Sequence, residues 1–563
     1  MRHAEGPLLT VDVGEREART ERVDSVLEAF VGGRGAGTRL AFDRVPFGAD
    51  PLGPENRLVF TAGPLQASTT SFTGRMNCTG LSPLTDGLLS SNAGGFLSRN
   101  FLDTGYGAIE VVGESEELLA VHVRNDGVEF EAVPELENAL VSEGTEYAER
   151  EYGLGSDAVA CIGPAGENVV RFASIVTSDH RTFGRGGLGA VMGAKNVKLL
   201  TVAGESEREG EFPEQAMEVG EEIHREAATS DHALKRQGTA GLTDFANQVG
   251  ALPTRYFAET SFENAGEING DRIEAKKHRK GTCSQCAFAC KLPTRDDSSG
   301  LETEGPEFET VMAFGSNAGL TDVVDVMGAN DLCDEFGMDT ISCGDTVSAY
   351  LASEDAFGDG ELVHETIRKI AHREGIGDTL AEGIARCHAE LGVRDWTMKG
   401  MEFAAHDGRA LNGQGLAFAT ANRGADHLYG SMYVYEYPFV PEEEALDPDG
   451  LNGKAEVLAD SENHNAVLDS AILCKFSRDV LTDERLAGLL DADLDTLDAL
   501  GARIVDLERA FNNRRGRTRA DDDALPYDLE GLDAALEEYY GRRGWTPDGT
   551  VPDGRLDASL TGD

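Results

Sequence analysis

The chain has 563 residues, 101 of them acidic and 50 basic, for a formal net charge of −51. The charge is spread along the whole length and hydrophobic content is ordinary, so the composition describes a folded, multi-domain protein with a dense carboxylate surface. Such a surface excludes nucleic acid and anionic membranes as natural partners, and it suits a salt-rich archaeal cytoplasm. No apolar run reaches the length of a membrane span, and MRHAEGPLLTVDVGE lacks the apolar core of a secretory signal. A cytoplasmic, halophilic protein, from a haloarchaeon, is therefore expected.

Residues 1–205 carry short β-type runs bounded by turn residues: LLTVDV, RLVFTAG, GAIEVVG, LLAVHV, AVACIG and VKLLTVAG. Few long helical patterns interrupt them. Between them lie four glycine-rich segments, VGGRGAGTR, FTGRMNCTGLSP, SSNAGGF and SDHRTFGRGGLGAVMGAK. Glycines let backbone N–H groups approach an anion closely, and Arg75, Arg181 and Arg185 can grip phosphate in two-pronged fashion. These loops predict a large phosphate-bearing cofactor. None has the form of a dinucleotide fingerprint or a P-loop.

From residue 206 the spacing turns helical, in EFPEQAMEVGEEIHREAATSDHALKRQG, DVVDVMGANDLCDEFG, ELVHETIRKIAHREG and DTLAEGIARCHAELG. Beyond residue 405 a glycine-rich run, GRALNGQGLAFATANRGADH, precedes more helices, ending in PYDLEGLDAALEEYYGRRGW. The expected fold is α+β: a β-rich domain over 1–205 covered by two mostly helical domains, 206–405 and 406–563.

The chain has nine cysteines. In a reducing cytoplasm they argue for metal or redox roles rather than a disulfide framework. Cys283, Cys286 and Cys290 stand together in GTCSQCAFACKLP, and Cys474 lies far downstream in LDSAILCKFSRD. Three clustered thiolates plus one distant thiolate is how a protein holds a four-iron cluster. Zinc, the main alternative, would want a second pair or histidines at ligand spacing, and none follow. Cys78, Cys161, Cys333, Cys343 and Cys387 are scattered and read as ordinary buried thiols. Two further positions suit acid–base work: Glu307 and Glu309 in GPEFET, and His427 in NRGADH.

In series, PENRLVFTAGPL, GRMNCTGLSPLT, SNAGGF, IGPAGEN, DHRTFGRGGLGAVMGAKN, the cysteine run, EGPEFET, CDEFGMDTIS, ATANRGADH and LDSAILC resemble the aldehyde:ferredoxin oxidoreductase family, the tungsten–pterin enzymes, nearly end to end. The resemblance implies a tungsten, or molybdenum, held by the dithiolenes of two pterins (molybdopterin) between the β-rich base and the helical domains, with no protein ligand to that metal. Arg75, Asn92, Gly94, Gly95, Arg181 and Arg185 stand at or beside the family's first-domain pterin contacts. The carbonyls of Asn92 and Thr182 match positions that help hold magnesium between the pterin phosphates. Asp334 and Asp339 match contacts in the second domain, and Asp469 matches the aspartate of the third. Cys283, Cys286, Cys290 and Cys474 match the ligands of one [4Fe-4S] cluster.

Glu309 and His427 match residues that face the metal. The implied reaction oxidises a small aldehyde to a carboxylic acid with water. Electrons leave through the cluster to ferredoxin, Glu309 takes a proton from water and His427 hydrogen-bonds the carbonyl oxygen.

Three positions depart from the family pattern. Ile472 replaces a glycine in the third-domain motif Asp469–Cys474, and Tyr256 stands where asparagine is frequent. Gly328 and Asp331 replace a Glu and a His that bind a metal between subunits in some members, so a homodimer without a bridging metal is expected. Which aldehyde is used is not legible. Two other readings stay open at this stage: a relative that reduces a carboxylic or thioester substrate, and a non-catalytic iron–sulfur electron-transfer subunit.

Overall fold

A computed structural model describes residues 1–178, 180–206, 213–437 and 439–561. Asp179, Glu211, Phe212, Gly562 and Asp563 of the segments named above lie outside the described residues. The N-terminal region is β-rich, as expected, and is built on two six-stranded sheets. The first runs Glu17–Glu21, Leu8–Asp12, Ala108–Val112, Leu58–Thr61, Met76–Leu81, Leu88–Ala93. Only Leu8–Asp12 and Ala108–Val112 pair in parallel there. The second runs Arg181–Phe183, Ile175–Thr177, Val159–Cys161, Val197–Val202, Leu119–Arg124, Gly127–Ala132, with Val197–Val202 and Leu119–Arg124 parallel. Most of these strands are buried along their length, which is why their sequences read as continuous Val/Ile/Leu runs rather than alternating ones.

The glycine-rich VGGRGAGTR is no loop. It opens the Gly33–Arg44 helix, whose glycines serve close packing. A Cβ on Gly33 would lie 2.3 Å from the Asp469 carbonyl oxygen, and one on Gly37 would lie 2.4 Å from Thr79 Oγ1. The helix thus wedges between the first sheet and the C-terminal helices at a separation that only hydrogen side chains allow. FTGRMNCTGLSP and SSNAGGF likewise contribute the strands Met76–Leu81 and Leu88–Ala93.

The remainder is mostly helical. Val323–Phe336, Thr340–Glu354, Gly360–His372 and Leu494–Arg514 each begin at an aspartate, Asp322, Asp339, Asp359 or Asp493, whose carboxylate accepts a free first-turn N–H. DTLAEGIARCHAELG is two helices, Ile376–Leu380 and Ile384–Leu391, because Gly383 turns the chain at φ +82°. No helix among the described residues is long and apolar enough to cross a membrane.

One buried polar knot joins the β-rich base to the helical cover. Arg34, 1 % exposed, donates from Nε and Nη2 to both oxygens of Glu508 at 2.7 and 2.8 Å. Its Nη1 lies 3.4 Å from Asp469 Oδ2, and its guanidinium stacks 3.5 Å above the Tyr429 ring. Asn92 Nδ2 donates to Asp469 Oδ1 at 2.9 Å, and Gly35 N–H to Ser470 Oγ at 2.9 Å. Removing one partner of such a buried pair strands the other charge, at a cost of about 3–5 kcal/mol. Arg34→Met is therefore expected to lower the denaturant midpoint sharply, while Arg22→Met, at an exposed pair with Asp24, should cost under about 1 kcal/mol. Equal midpoints for the two variants in urea titrations would show that the knot carries no stability.

Candidate functional site

The three-cysteine loop is held at its neck. Gly281 bridges Lys291 and Lys277 bridges Thr294, so the chain before Cys283 runs antiparallel to the chain after Cys290. Gln285 and Ala289, each one residue before a cysteine, have φ of +57° and +53°, a backbone shape that turns N–H groups toward an anionic centre. Ser284 N–H donates to Gly95 O at 2.9 Å, and a Cβ on Gly74 would meet Ser284 O at 2.7 Å, so the loop lies flat on the first domain.

Cys474 arrives just past the Lys454–Ala471 helix, and its N–H donates to Phe72 O at 2.9 Å. All four thiols line one cavity, with Phe72, Arg75 and Phe476. Among the described residues no three His, Cys, Asp or Glu side chains converge closely enough to share a single ion. Burial first, and the neighbouring Cys474 second, push the Cys286 and Cys290 thiols up, so by themselves these thiols favour the protonated form. The cation that meets this cavity is Arg75, whose Nη1 lies 3.8 Å from Cys474 Sγ while its Nη2 donates to Asn92 O at 2.7 Å. Gly94 is equally close, since a Cβ there would sit 3.1 Å from Cys283 Sγ.

Glu309 is the middle residue of the short Phe308–Thr310 helix, which continues as a π-type turn over Val311–Ser316, a wide helix form common at functional sites. Its Oε2 accepts from Ala405 N–H at 2.8 Å. Its Oε1 lies 3.4 Å from His427 Nε2 and 3.8 Å from His406 Nε2, yet no well-directed hydrogen bond satisfies it. His427 Nδ1 is likewise buried and without a partner. Burial lowers the His427 pKa and outweighs the opposing pull of Glu309 and Asp426, so the ring is neutral at neutral pH.

Arg185 spans the same junction. It donates to Ala425 O at 2.9 Å and to Glu402 O, and its Nε, 3.4 Å from Asp339 Oδ2, makes no well-directed bond. Arg181 Nη2 donates to Glu304 at 3.0 Å, and its buried Nε is also unsatisfied. Thr182 lies between the two arginines on the Arg181–Phe183 strand. Asp339 caps Ser342 N–H at 3.1 Å. Asp334 accepts from Asn330 at 3.0 Å, and burial raises its pKa, helped by Asp331.

Buried, unsatisfied groups thus occur in two places, Glu309 Oε1, His427 Nδ1 and Arg185 Nε together, and Arg181 Nε toward Cys283 and Cys290. Unpaired buried polar atoms on this scale are rare without an unseen partner. The residues present fit a polar, anionic cofactor and an iron–sulfur cluster. The two glutamates of GPEFET separate, for Glu307 accepts from Thr239 N–H and Oγ1 at 3.1 and 2.6 Å and only Glu309 meets the histidines.

His406, in FAAHDGRAL, is missing from the sequence-based set. It is 2 % exposed, stacks flat on Tyr433 at 3.8 Å, and faces Tyr437 OH through Nδ1 at 3.1 Å. A lone histidine carries no spacing signal, and only its fold-given neighbours reveal it.

The departures have structural answers. Ile472 adopts φ +61°, ψ +36°, the left-handed cap a glycine would take without strain. Its side chain fills a notch formed by Gly33 and Gly63, where a Cβ on either glycine would lie only 2.7 or 2.4 Å from it. Tyr256 donates to Arg394 O at 2.6 Å and packs beside Phe257. Gly328 lies against the His364 ring, where a Cβ would sit 2.9 Å from Cε1. Cys78, Cys161, Cys333, Cys343 and Cys387 are buried, free thiols.

Comparison with known proteins is consistent along the whole chain. Residues 8–204 match the aldehyde ferredoxin oxidoreductase N-terminal domain, and residues 215–558 match domains 2 and 3 of the same family. A tungsten-containing aldehyde ferredoxin oxidoreductase of Thermococcus kodakarensis is 35 % identical, over 97 % of each chain. One of Pyrococcus furiosus is 34 % identical over 98 % of each. The WOR-like subunit of an aliphatic sulfonate oxidoreductase of Pyrococcus furiosus is 26 % identical over 94 % of this chain and 90 % of its own. The fold is shared with the BamBC active-site complex of benzoyl coenzyme A reductase, at TM-score 0.84, 23 % identity and coverage of 100 % of this chain and 98 % of that one.

The matches define an oxidoreductase, of a kind whose named relatives are tungsten-containing. The chain belongs to the aldehyde ferredoxin oxidoreductase family.

Two outcomes test this geometry. A left-handed β-branched residue costs about 1–2 kcal/mol, whereas emptying a buried isoleucine site costs about 2–5 kcal/mol. Cavity formation wins, so Ile472→Gly is expected to destabilise by about 1–3 kcal/mol despite restoring glycine; a gain in stability would show that strain dominates. His406 is held well below its usual pKa by burial first and His427 second. A folded-state value below the unfolded one, about 6.5, means that stability is intact above that pH and is lost as pH falls through it. The unfolding midpoint should therefore drop between about pH 7 and pH 5, and less steeply in His406→Gln.

Proposed function

We propose that the chain oxidises an aldehyde to a carboxylic acid with water, RCHO + H2O → RCOOH + 2 e− + 2 H+, and delivers the electrons to ferredoxin. Membership of the family supports this reading, and one observation carries it: an unsatisfied Glu309 carboxylate oxygen 3.4 Å from a buried, neutral His427, alongside a four-thiol cavity. When bound, a tungsten held by two pterins supplies carbonyl polarisation and takes up an electron pair, which a [4Fe-4S] cluster passes on singly.

Cys283, Cys286, Cys290 and Cys474 would hold the cluster. Arg75, Gly94, Gly95, Arg181, Arg185, Asp334, Asp339 and Asp469 would hold the pterins. The Asn92 carbonyl, with one acceptor site already used by Arg75, and the Thr182 carbonyl would meet magnesium between the phosphates. Residues 1–205 then form the base of the cofactor site, with 206–405 and 406–563 as its cover.

The chain's own groups handle protons. Glu309 is fixed through Oε2 by Ala405 N–H, which leaves Oε1 to take a proton from water. A protonated Oε1 can donate to His427 Nε2, and the neutral ring then carries its hydrogen on Nδ1, the ring nitrogen without a partner. That Nδ1–H is the donor free to meet a carbonyl oxygen. Burial keeps both histidines neutral, so neither supplies Oε1 with an imidazolium proton in place of the one from water.

Glu309→Gln keeps size and burial and removes the base. It should retain iron and tungsten by elemental analysis while turnover of any accepted aldehyde falls by about 10²–10⁴-fold. Wild-type turnover in that variant would remove Glu309 from the reaction. Retained tungsten with no aldehyde oxidised by the unmodified protein would favour reduction of an acid or thioester instead, and absent pterin would favour an electron-transfer subunit.

A further inference from the structure

The sequence KKHRK, Lys276–Lys280, is an anomaly in a chain of net charge −51. It is the start of a longer one: between Glu274 and Asp296 no carboxylate occurs, while Lys276, Lys277, Arg279, Lys280, Lys291 and Arg295 do. Residues 56–85 and 180–204 also lack carboxylates but are largely buried, and over the whole chain acidic side chains outnumber basic ones 101 to 50. This stretch is also the one that holds Cys283, Cys286 and Cys290.

The fold sets the run at the neck of the cysteine loop. Lys277 bridges Thr294, His278 N–H donates to Pro293 O at 3.1 Å, and Gly281 bridges Lys291, so the run is one edge of the ribbon that closes the loop. Two of its cations are turned inward: Lys276 Nζ pairs with Asp296 at 2.6 Å, and Lys277 Nζ donates to Lys235 O at 2.9 Å. His278, Arg279 and Lys280 are exposed. Lys280 precedes Cys283 by three residues, so their Cα atoms lie within about 11 Å of each other. The thiols themselves are only partly buried, which puts this cavity near the surface.

From these placements we propose that the face around Arg279 and Lys280 is the docking surface for a small acidic electron-carrier protein, ferredoxin on the reading given above. Electron transfer weakens steeply with distance, so a carrier must seat where the cluster lies nearest the surface. A strongly negative chain repels an acidic carrier over most of its area, and exposed cations at that point, with Asp296 already paired to Lys276, relieve the repulsion and orient the encounter. The patch joins two requirements, closeness to the thiols and a reversed local charge, in one segment.

The test uses the full, cofactor-loaded chain and the host's own acidic ferredoxin. Binding is measured directly by titration calorimetry, so the result does not depend on which substrate the enzyme takes. Aldehyde oxidation is followed separately with benzyl viologen, a small acceptor that needs no protein docking. Arg279→Glu/Lys280→Glu is expected to weaken ferredoxin binding at least tenfold and to raise its KM in step. Dye-linked turnover and iron content should not change, and raising potassium chloride should weaken wild-type binding more than variant binding.

Unchanged binding in the variant, or wild-type binding indifferent to salt, would overturn the proposal. If the charge-reversed chain loses iron, Arg279→Gln/Lys280→Gln replaces it, with a loss of at least threefold expected and no loss counting against. Absence of dye reduction by any aldehyde would instead count against the proposed reaction and leave the binding result standing.

Discussion

A guanidinium shut away from water must be met on every side, and Arg34 is met by three layers at once. Glu508 comes from the longest C-terminal helix, Asp469 from the helix that leads to Cys474, and the Tyr429 ring from the loop just past His427. Asp469 in turn takes a hydrogen bond from Asn92 on the last strand of the first sheet. Because Glu508 depends on the arginine for its charge partner, and Asp469 shares it with Lys475 and Asn92, the position of the helical cover is coupled to that of the β-rich base. The glycines around Arg34 make the approach close enough for these bonds to form, and the Ile472 side chain locks into the space they leave.

That junction arranges two different microenvironments side by side. The thiol cavity is met by cations, Arg75 directly and Arg181 across the loop, which favour the charged state that metal ligation requires. The Glu309 pocket is walled by aromatic rings and neutral imidazoles, with His406 stacked on Tyr433 and bonded to Tyr437. Low polarity there keeps the histidines uncharged and makes each remaining dipole count for more. On the proposed reading, proton handling falls to the Glu309 pocket and electron handling to the thiol cavity, where Arg75 joins Cys474 to Asn92.

Most of the architecture could be read from the chain, and the unread parts share a cause. Runs such as LLAVHV and VKLLTVAG announce strands because buried β-branched residues leave few alternatives. Met76–Leu81 and Leu88–Ala93 are strands rich in Asn, Ser, Thr and Gly, held by their neighbours rather than by their own propensity. Gly33–Arg44 is a helix in spite of three glycines, because tertiary packing outweighs about 1 kcal/mol of intrinsic cost at each. The cysteines and GPEFET were visible as patterns. His406 and the Arg34 knot were not, since a single buried polar residue acquires meaning only from distant partners, tens of positions away for His406 and hundreds for Arg34.

The cysteine loop has a further consequence, for the order in which the molecule matures. Cys283, Cys286 and Cys290 are positioned by local bridges to Lys291 and Thr294 and by contacts to Gly74, Gly94 and Gly95, all within the first 294 residues. Cys474 joins them only after the Lys454–Ala471 helix has docked beneath Gly33 and Gly63 and its own N–H has found Phe72. During synthesis three sulfurs are therefore in place well before the fourth exists. A cluster on the proposed ligands could therefore be closed only once the C-terminal half had seated, and a chain truncated before Cys474 would offer three of the four sulfurs.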